Sequence, residues 1–388
     1  MDPAGRVDTI GPAVTAGNRQ PDPLTPAGAY GQFFAYELRI APPTDPDARR
    51  RHVLDRMGPP DIVTPKCELV DRGLFEGLTV EHLRWRLPYG PATEAVVLKP
   101  ADASAPLPGV LALHCHSGLK YFGRRKVACW GETHPLMAGH QRHYYGGRAW
   151  ANELARRGCV VMAHDSFAFG SRRVRLADVP EPMRDGLADP DDDDHDGIAA
   201  YNRWAAGHES VLAQALLATG TCWPAAMWTE DRIALDILAA RDDVDASRLG
   251  CAGLSGGGCR TVYLAGLDRR IAAAVCVGFM TTWRGFMLDV PRLRSWMALT
   301  PRLPAEMDFP EILALRVPAA TMVLHCADDQ LWSRKSMADA EAILRDAFGR
   351  NGAGDRLDVR YYPGPHRFDA AMQDDAFNWL DRYLTNTQ

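Results

Sequence analysis

The chain has 388 residues, of which 46% are hydrophobic and 24% charged, and a formal net charge of −5. That is room for one large α/β domain with an extension, or two small domains, in an ordinary soluble globular protein. The negative balance argues against nucleic acid or an anionic membrane as a partner, and no stretch approaches the roughly 18 apolar residues of a membrane span.

Residues 1–25 are rich in Pro, Gly and Ala and lack the basic start and apolar core of a signal peptide. Residues 1–75 read as a leader, to about residue 28, and a helical extension with a helix over 47–57 that Pro59-Pro60 ends. A catalytic domain is expected over 76–388. Residues 78–87 and 94–99 alternate apolar and polar around Pro88-Tyr89-Gly90-Pro91, the pattern of an antiparallel hairpin. From Gly109 the pattern changes. Residues 110–114, 159–163, 248–252, 271–277 and 320–324 are continuous apolar runs, as strands buried on both faces should be. Helical segments over 148–157, 230–240, 257–267 and 369–384 alternate with these runs, and 357–362 reads as a last strand. This order predicts an α/β fold with a mostly parallel sheet flanked by helices. Three inserts, at about 117–147, 171–228 and 280–310, interrupt it and are expected to act as lids over the carboxyl edge of the sheet.

Nine cysteines is an odd number, with no C-x-x-C spacing. Cys115, Cys159, Cys251, Cys276 and Cys326 lie in or beside apolar runs, where Cys acts as a small buried hydrophobe. A reduced, cytoplasmic setting is expected rather than a disulfide framework.

The chemistry concentrates at three strand ends. Gly253-Leu254-Ser255-Gly256-Gly257 is a G-x-S-x-G run between a predicted strand and a predicted helix. Such a corner exposes the serine hydroxyl in a strained backbone conformation, with glycines where a Cβ would collide. Asp329 follows the strand at 320–324, with Asp328 its neighbour and rival. His366 follows 357–362 and Pro363-Gly364-Pro365. A serine needs a base within hydrogen-bond reach, and the base needs an acid to fix its tautomer. Ser255, Asp329 and His366 stand in the chain order of one such triad. The oxyanion formed on attack needs backbone N–H donors, expected from Gly256 and from His116 in the loop after the first parallel strand. His114, His116, His140 and His143 also raise a metal reading, but no carboxylate or cysteine completes a zinc pattern, so no metal is expected. The basic run 120–126, interleaved with Tyr121 and Phe122, reads either as recognition of an anionic or sugar-like group or as a solvated loop. Tyr121, Trp283 and Trp332 are candidate pocket walls. The acidic run 189–196 lacks EF-hand spacing and reads as a solvated loop.

With these residues in view, the chain resembles the α/β-hydrolase superfamily from about residue 88 to 384. More narrowly it resembles the acetyl-xylan-esterase-like and dienelactone-hydrolase-like branch. The resemblance rests on His114-Cys115-His116-Ser117-Gly118, the run 164–173, Gly253 to Gly258, Cys326-Ala327-Asp328-Asp329 and Gly364-Pro365-His366. It implies Ser255 as nucleophile, Asp329 as acid and His366 as base, and hydrolysis of carboxylic esters without a cofactor. Cys115 and Cys326 depart from it, standing where relatives commonly carry glycine. The expected function is therefore a serine hydrolase of a small-molecule ester, an acetyl, other short acyl or methyl ester of a sugar or natural product. Carbon–carbon bond hydrolysis or acyl transfer on the same triad, a serine peptidase and a silent binding scaffold are the alternatives. The first 75 residues are read as a substrate-capping or oligomerisation element, so a homo-oligomer is compatible with the chain.

Overall fold

A computed structural model describes residues 42–289 and 295–385. The expected leader lies outside these residues, as does a short part of the third insert. Helix α1 (Pro46–Met57) comes first. Asp45 caps it by accepting from the Ala48 amide, Pro46 occupies the first turn, where no N–H is needed, and Gly58 closes it at φ 62°.

Strands β1 (Glu68–Phe75), β2 (Leu78–Trp85) and β3 (Thr93–Pro100) form an antiparallel meander. β1 corrects the expected boundary at residue 75, because residues 68–75 belong to the sheet and not to a helical extension. It is an edge strand exposed along nearly its whole length, so no one-face burial pattern marks it. Then follow β4 (Leu107–Leu113), α2 (Pro135–Tyr144), α3 (Trp150–Arg156), β5 (Val160–His164), α4 (His195–Ala218), α5 (Trp223–Ala239), β6 (Val244–Leu254) and α6 (Gly256–Leu267). The chain ends with β7 (Ile271–Val277), α7 (Phe309–Ala314), β8 (Ala320–Cys326), α8 (Arg334–Arg350), β9 (Leu357–Tyr362) and α9 (Ala370–Leu384).

The nine strands form one sheet in the order β1-β2-β3-β5-β4-β6-β7-β8-β9. β3 meets β5 antiparallel, and every pairing from β5 through β9 is parallel. Side chains alternate between the two faces. Leu111, Leu113, Cys251 and Val323 pack against α5, α6 and α8. Val110, Ala112, Ala252 and Met322 pack against α3 and α9. Both faces are covered, which is why these strands are continuously apolar.

The inserts are more ordered than their sequence suggests. The segment expected to be irregular over 171–228 contains α4 and the start of α5. Asp194, within the acidic run, caps α4 by accepting from the Gly197 amide. Residues 191–196 are exposed, as expected of a solvated loop, and Asp192 also pairs at the surface with Arg125 at 2.7 Å. Among the described residues no helix is long and apolar enough to cross a membrane.

One core residue carries a pH signature. His325 on β8 is fully buried and stacks on Tyr361 at 4.8 Å, and neither ring nitrogen has a partner among the described residues. Burial holds its pKa down at about 4. It is neutral in the fold, while the unfolded chain binds a proton below about pH 6.5, so the fold loses stability as pH falls from there towards 4. His325→Phe should fold and show a smaller drop in urea midpoint between pH 7.5 and pH 5 than the wild type. An equal drop would show that His325 does not set the acid limb.

Candidate active site

β6 runs straight into the turn at Ser255, which has φ 59° and ψ −114°, and α6 begins at the next residue. A non-glycine residue at positive φ is strained and is held there by its surroundings. Here they are tight. A Cβ on Gly257 would stand 2.1 Å from the Leu113 carbonyl oxygen, and one on Gly253 would stand 2.6 Å from the same atom. Only glycine lets the end of β4 approach the corner this closely. The Ser255 amide donates to the Val277 carbonyl at 2.8 Å, fixing the turn to β7 as well.

Asp329 lies three residues past β8 and His366 four past β9, at the same carboxyl edge. His366 Nδ1 is 2.6 Å from Asp329 Oδ2. Asp329 is buried, and its other oxygen accepts from the Leu331 amide at 2.9 Å. Asp328 points elsewhere: its carboxylate accepts from the Gly364 amide at 2.9 Å and shapes the loop that carries His366. The Nδ1 contact with a carboxylate places the proton on Nδ1 and leaves Nε2 as acceptor. Nε2 is buried and has no partner among the described residues. The imidazole lies over Gly278. A Cβ there would meet His366 Cε1 at 2.9 Å and the side chain of Leu254, the residue before Ser255, at 3.0 Å. Trp332 supports this platform by donating from Nε1 to the Gly278 carbonyl at 2.8 Å.

The loop after β4 completes the arrangement. A Cβ on Gly256 would stand 2.8 Å from the His116 amide nitrogen, so the two backbone segments meet beside Ser255. Cys115 causes no obstruction at the position where glycine is common, because its side chain is buried with Sγ 3.4 Å from His140 Nε2. The His116 ring is held at both nitrogens. Nδ1 accepts from the Gly118 amide at 3.0 Å, and Nε2 lies 2.6 Å from Glu209 Oε1. The same carboxylate takes Lys120 Nζ at 2.7 Å and the Ser295 hydroxyl at 3.1 Å. Glu209 on α4 therefore joins all three inserts. Burial alone would raise its pKa, but the hydrogen bond from His116 and the charge of Lys120 hold it at about 2. Burial, with the charge of Lys120, lowers His116 to about 4. Lys126, fully buried, donates to the carbonyls of Cys115 at 3.0 Å and His116 at 2.9 Å.

Neither reading of the basic run 120–126 describes these two lysines, which are buried and committed to the protein's own acceptors. Glu209, Lys120 and Lys126 are the residues that sequence reasoning missed. One signal for Glu209 was available: it falls on the helical stripe of Ile198, Tyr201, Ala205 and Ala213, where a carboxylate needs a buried partner.

Below the serine turn lies a second buried network. Arg260, on the first turns of α6, contacts Asp231 of α5 through Nε at 3.0 Å and Nη2 at 2.6 Å. Asp231 also meets His164 Nε2 at 2.9 Å, and Arg260 Nη1 reaches the His114 carbonyl at 3.4 Å. All three side chains are at most 2% exposed, so the Arg260 and Asp231 charges depend on one another to offset their desolvation.

The expected pocket walls separate into different roles. Tyr121 is buried in the inserts' own cluster with Phe122 and Tyr201, and its hydroxyl donates to the Pro190 carbonyl at 3.3 Å. Its ring is committed to packing, which corrects its expected place on the substrate wall. Trp283 stacks on Phe309 at 4.1 Å and lines an apolar cavity of about 220 Å3 with Trp223 and Trp296. Trp332 lies under the His366 platform. The rings of His114 and His116 are engaged with Cys115, Ser166, Gly118 and Glu209. No group of three metal-ligating side chains occurs among the described residues.

The sheet order and the serine corner after β6, with an acid after β8 and a histidine after β9, define an α/β-hydrolase fold. No family model matches the chain. YtaP of Bacillus subtilis strain 168, described as a hydrolase, is 24% identical over 294 residues, covering 75% of this chain and 83% of that protein. A Bacteroides fragilis structure described as an acetyl xylan esterase aligns with a TM-score of 0.64 at 18% identity, over 86% of this chain and 82% of its own. A glucuronoyl esterase from Solibacter usitatus aligns with a TM-score of 0.57 at 16% identity, over 86% of this chain and 91% of its own. At these identities the likeness establishes the fold.

The serine corner yields a direct test. Gly257→Ala puts a methyl group against a backbone oxygen that cannot swing away. It should lower the melting temperature by several degrees, a cost of about 1–3 kcal/mol. A variant with wild-type melting and wild-type serine labelling would show that the close approach of β4 is not required.

Proposed function

We propose that the chain is a serine hydrolase that cleaves a carboxylic ester of a small molecule. The observation that carries this reading is the 2.6 Å contact of His366 Nδ1 with buried Asp329, beside a serine held at positive φ. The esterase names of its structural relatives favour the same class, and they suggest a short acyl or methyl ester of a sugar or natural product.

In this reading Ser255 Oγ attacks the ester carbonyl carbon as His366 Nε2 takes its proton. Asp329 stabilises the imidazolium and keeps its Nδ1 proton in place. The amides of Gly256 and His116 receive the oxyanion, each such donor contributing about 2.7–4 kcal/mol to the transition state. Collapse of the tetrahedral intermediate expels the alcohol, which takes its proton from His366 and leaves an acyl-enzyme on Ser255. Water, deprotonated by the same imidazole, then adds to the acyl carbon, and the bond to Ser255 Oγ breaks as the serine takes that proton back and the acid leaves. Trp283 and the neighbouring apolar cavity would receive part of the ester, with Trp332 acting only through the His366 platform.

Hydrolysis of p-nitrophenyl acetate and butyrate, with fluorophosphonate labelling alongside, tests the reading. Ser255→Ala should abolish labelling and lower kcat/KM by at least about 10⁴-fold. Turnover that survives in Ser255→Ala would overturn it.

The two aspartates are separable. Asp329→Asn should lower kcat by roughly 10²–10⁴-fold through loss of the imidazole tautomer. Asp328→Asn keeps an oxygen that can accept from Gly364 and should stay within about threefold of wild type. The reverse ranking would reassign the acid.

A further inference from the structure

The cavity of about 220 Å3 that Trp283 shares with Trp223 and Trp296 has a wall of one chemical kind. Leu217 and Met287 extend it, and no charged side chain lines it among the described residues. Thr300 brings a hydroxyl, but that residue is buried, and the hydroxyl lies 3.7 Å from Cys222 Sγ and 3.4 Å from the Tyr263 hydroxyl. The indole nitrogens of Trp223 and Trp283 are buried as well, so these two residues offer ring carbon to the cavity.

Met297 joins this cavity to the serine corner. Its Cε lies 3.0 Å from where a Cβ on Gly256 would stand. The same side chain packs in one cluster with Trp223 and Ala213, both of which line the cavity. The buried thioether therefore stands between the Gly256 amide and the indoles. An unbranched thioether is the side chain that shifts most readily to admit another group. In the proposed reaction the alcohol takes its proton from His366 Nε2 and so leaves on that side. The part of the ester that runs past Gly256 towards Met297 is then the acyl part.

We propose that the substrate is an ester of an arylalkanoic acid, with the aromatic ring of its acyl group seated in this cavity and Met297 setting how far the group reaches. The inference rests on the hydrolase reading and narrows it. A dry apolar cavity of about 150 Å3 is enough to hold benzene, so this larger one takes a ring with a short linker. Indole walls receive an aromatic ring through offset and edge-to-face contacts. The hydroxyls of a sugar would lose water there without gaining partners, so any sugar belongs on the alcohol side.

Hydrolysis of methyl phenylacetate, benzyl acetate and methyl acetate by the full chain, each rate corrected for alkaline hydrolysis of the same ester, tests it. Methyl phenylacetate should exceed methyl acetate in kcat/KM by at least about 100-fold, since each well-buried methylene is worth roughly 10–200-fold. Benzyl acetate should stay within about tenfold of methyl acetate. Ala213→Leu fills the cavity from α4, and Leu217→Trp fills it from the more exposed rim, where a larger ring is easier to accommodate. In each variant that melts like wild type, the preference for methyl phenylacetate should fall at least tenfold. A preference unchanged in both would overturn the proposal, and a preference for benzyl acetate instead would overturn the assignment to the acyl side. Fluorophosphonate labelling run alongside separates the two readings. Label on Ser255 without preference for methyl phenylacetate would overturn this inference alone. Absence of label and of turnover with all three esters would overturn the hydrolase reading with it.

Discussion

The contact on which the rest of the site depends is the packing of the serine corner against the end of β4. The Leu113 carbonyl oxygen occupies the space that Cβ atoms of both Gly253 and Gly257 would need. That closeness holds Ser255 at positive φ, and it brings the start of α6 beside the loop at His116. The Ser255 turn and the meeting of the Gly256 and His116 backbones are therefore one packing event. Because the clash would be with backbone and not with a flexible side chain, the structure has little freedom to relax around a substitution.

A second constraint follows from placing so much charge at the same edge. Arg260, Asp231, Lys120, Lys126 and Glu209 are all at most 6% exposed. Stripping water from a single ion costs several kcal/mol, which ordinary packing does not recover. Each is offset by a specific partner: Asp231 for Arg260, Glu209 for Lys120, two carbonyl oxygens for Lys126. The gain is geometric. Lys126 holds the Cys115–His116 peptide through the Cys115 carbonyl oxygen and Glu209 holds the His116 ring, so the amide beside Gly256 has little room to turn. Such preorganised dipoles stabilise developing charge without reorganising during the reaction.

What was legible in the sequence divides along physical lines. β4, β6, β7 and β8 are buried on both faces, so continuous apolar runs announced them. Ser255 and Asp329 were legible because each stands just past such a run, and His366 because it follows a last strand and Pro363-Gly364-Pro365. β1 was not, since an exposed edge strand has no buried face to pattern it. α4 was hidden by the acidic run that caps it, although Ile198, Tyr201 and Ala205 already follow helical spacing. Lys120 and Lys126 were read by charge alone, and charge does not reveal burial. What decides their burial is a carboxylate about 90 residues away and two backbone carbonyls, neither of which local sequence can show.

The division of labour between sheet and inserts follows from these differences. Strand ends place the reacting groups, and their positions are set by parallel pairing that a large core holds rigid. The inserts are joined to one another at the Glu209 carboxylate. Glu209 takes His116 from the loop after β4, Lys120 from the first insert and Ser295 from the third, while itself belonging to the second. A change in any one insert is therefore felt at the loop beside the nucleophile, through a bond to the ring of the residue whose amide faces Gly256. If the proposed reaction holds, selectivity and rate are coupled by connectivity, because the inserts are joined through the residue whose amide faces Gly256.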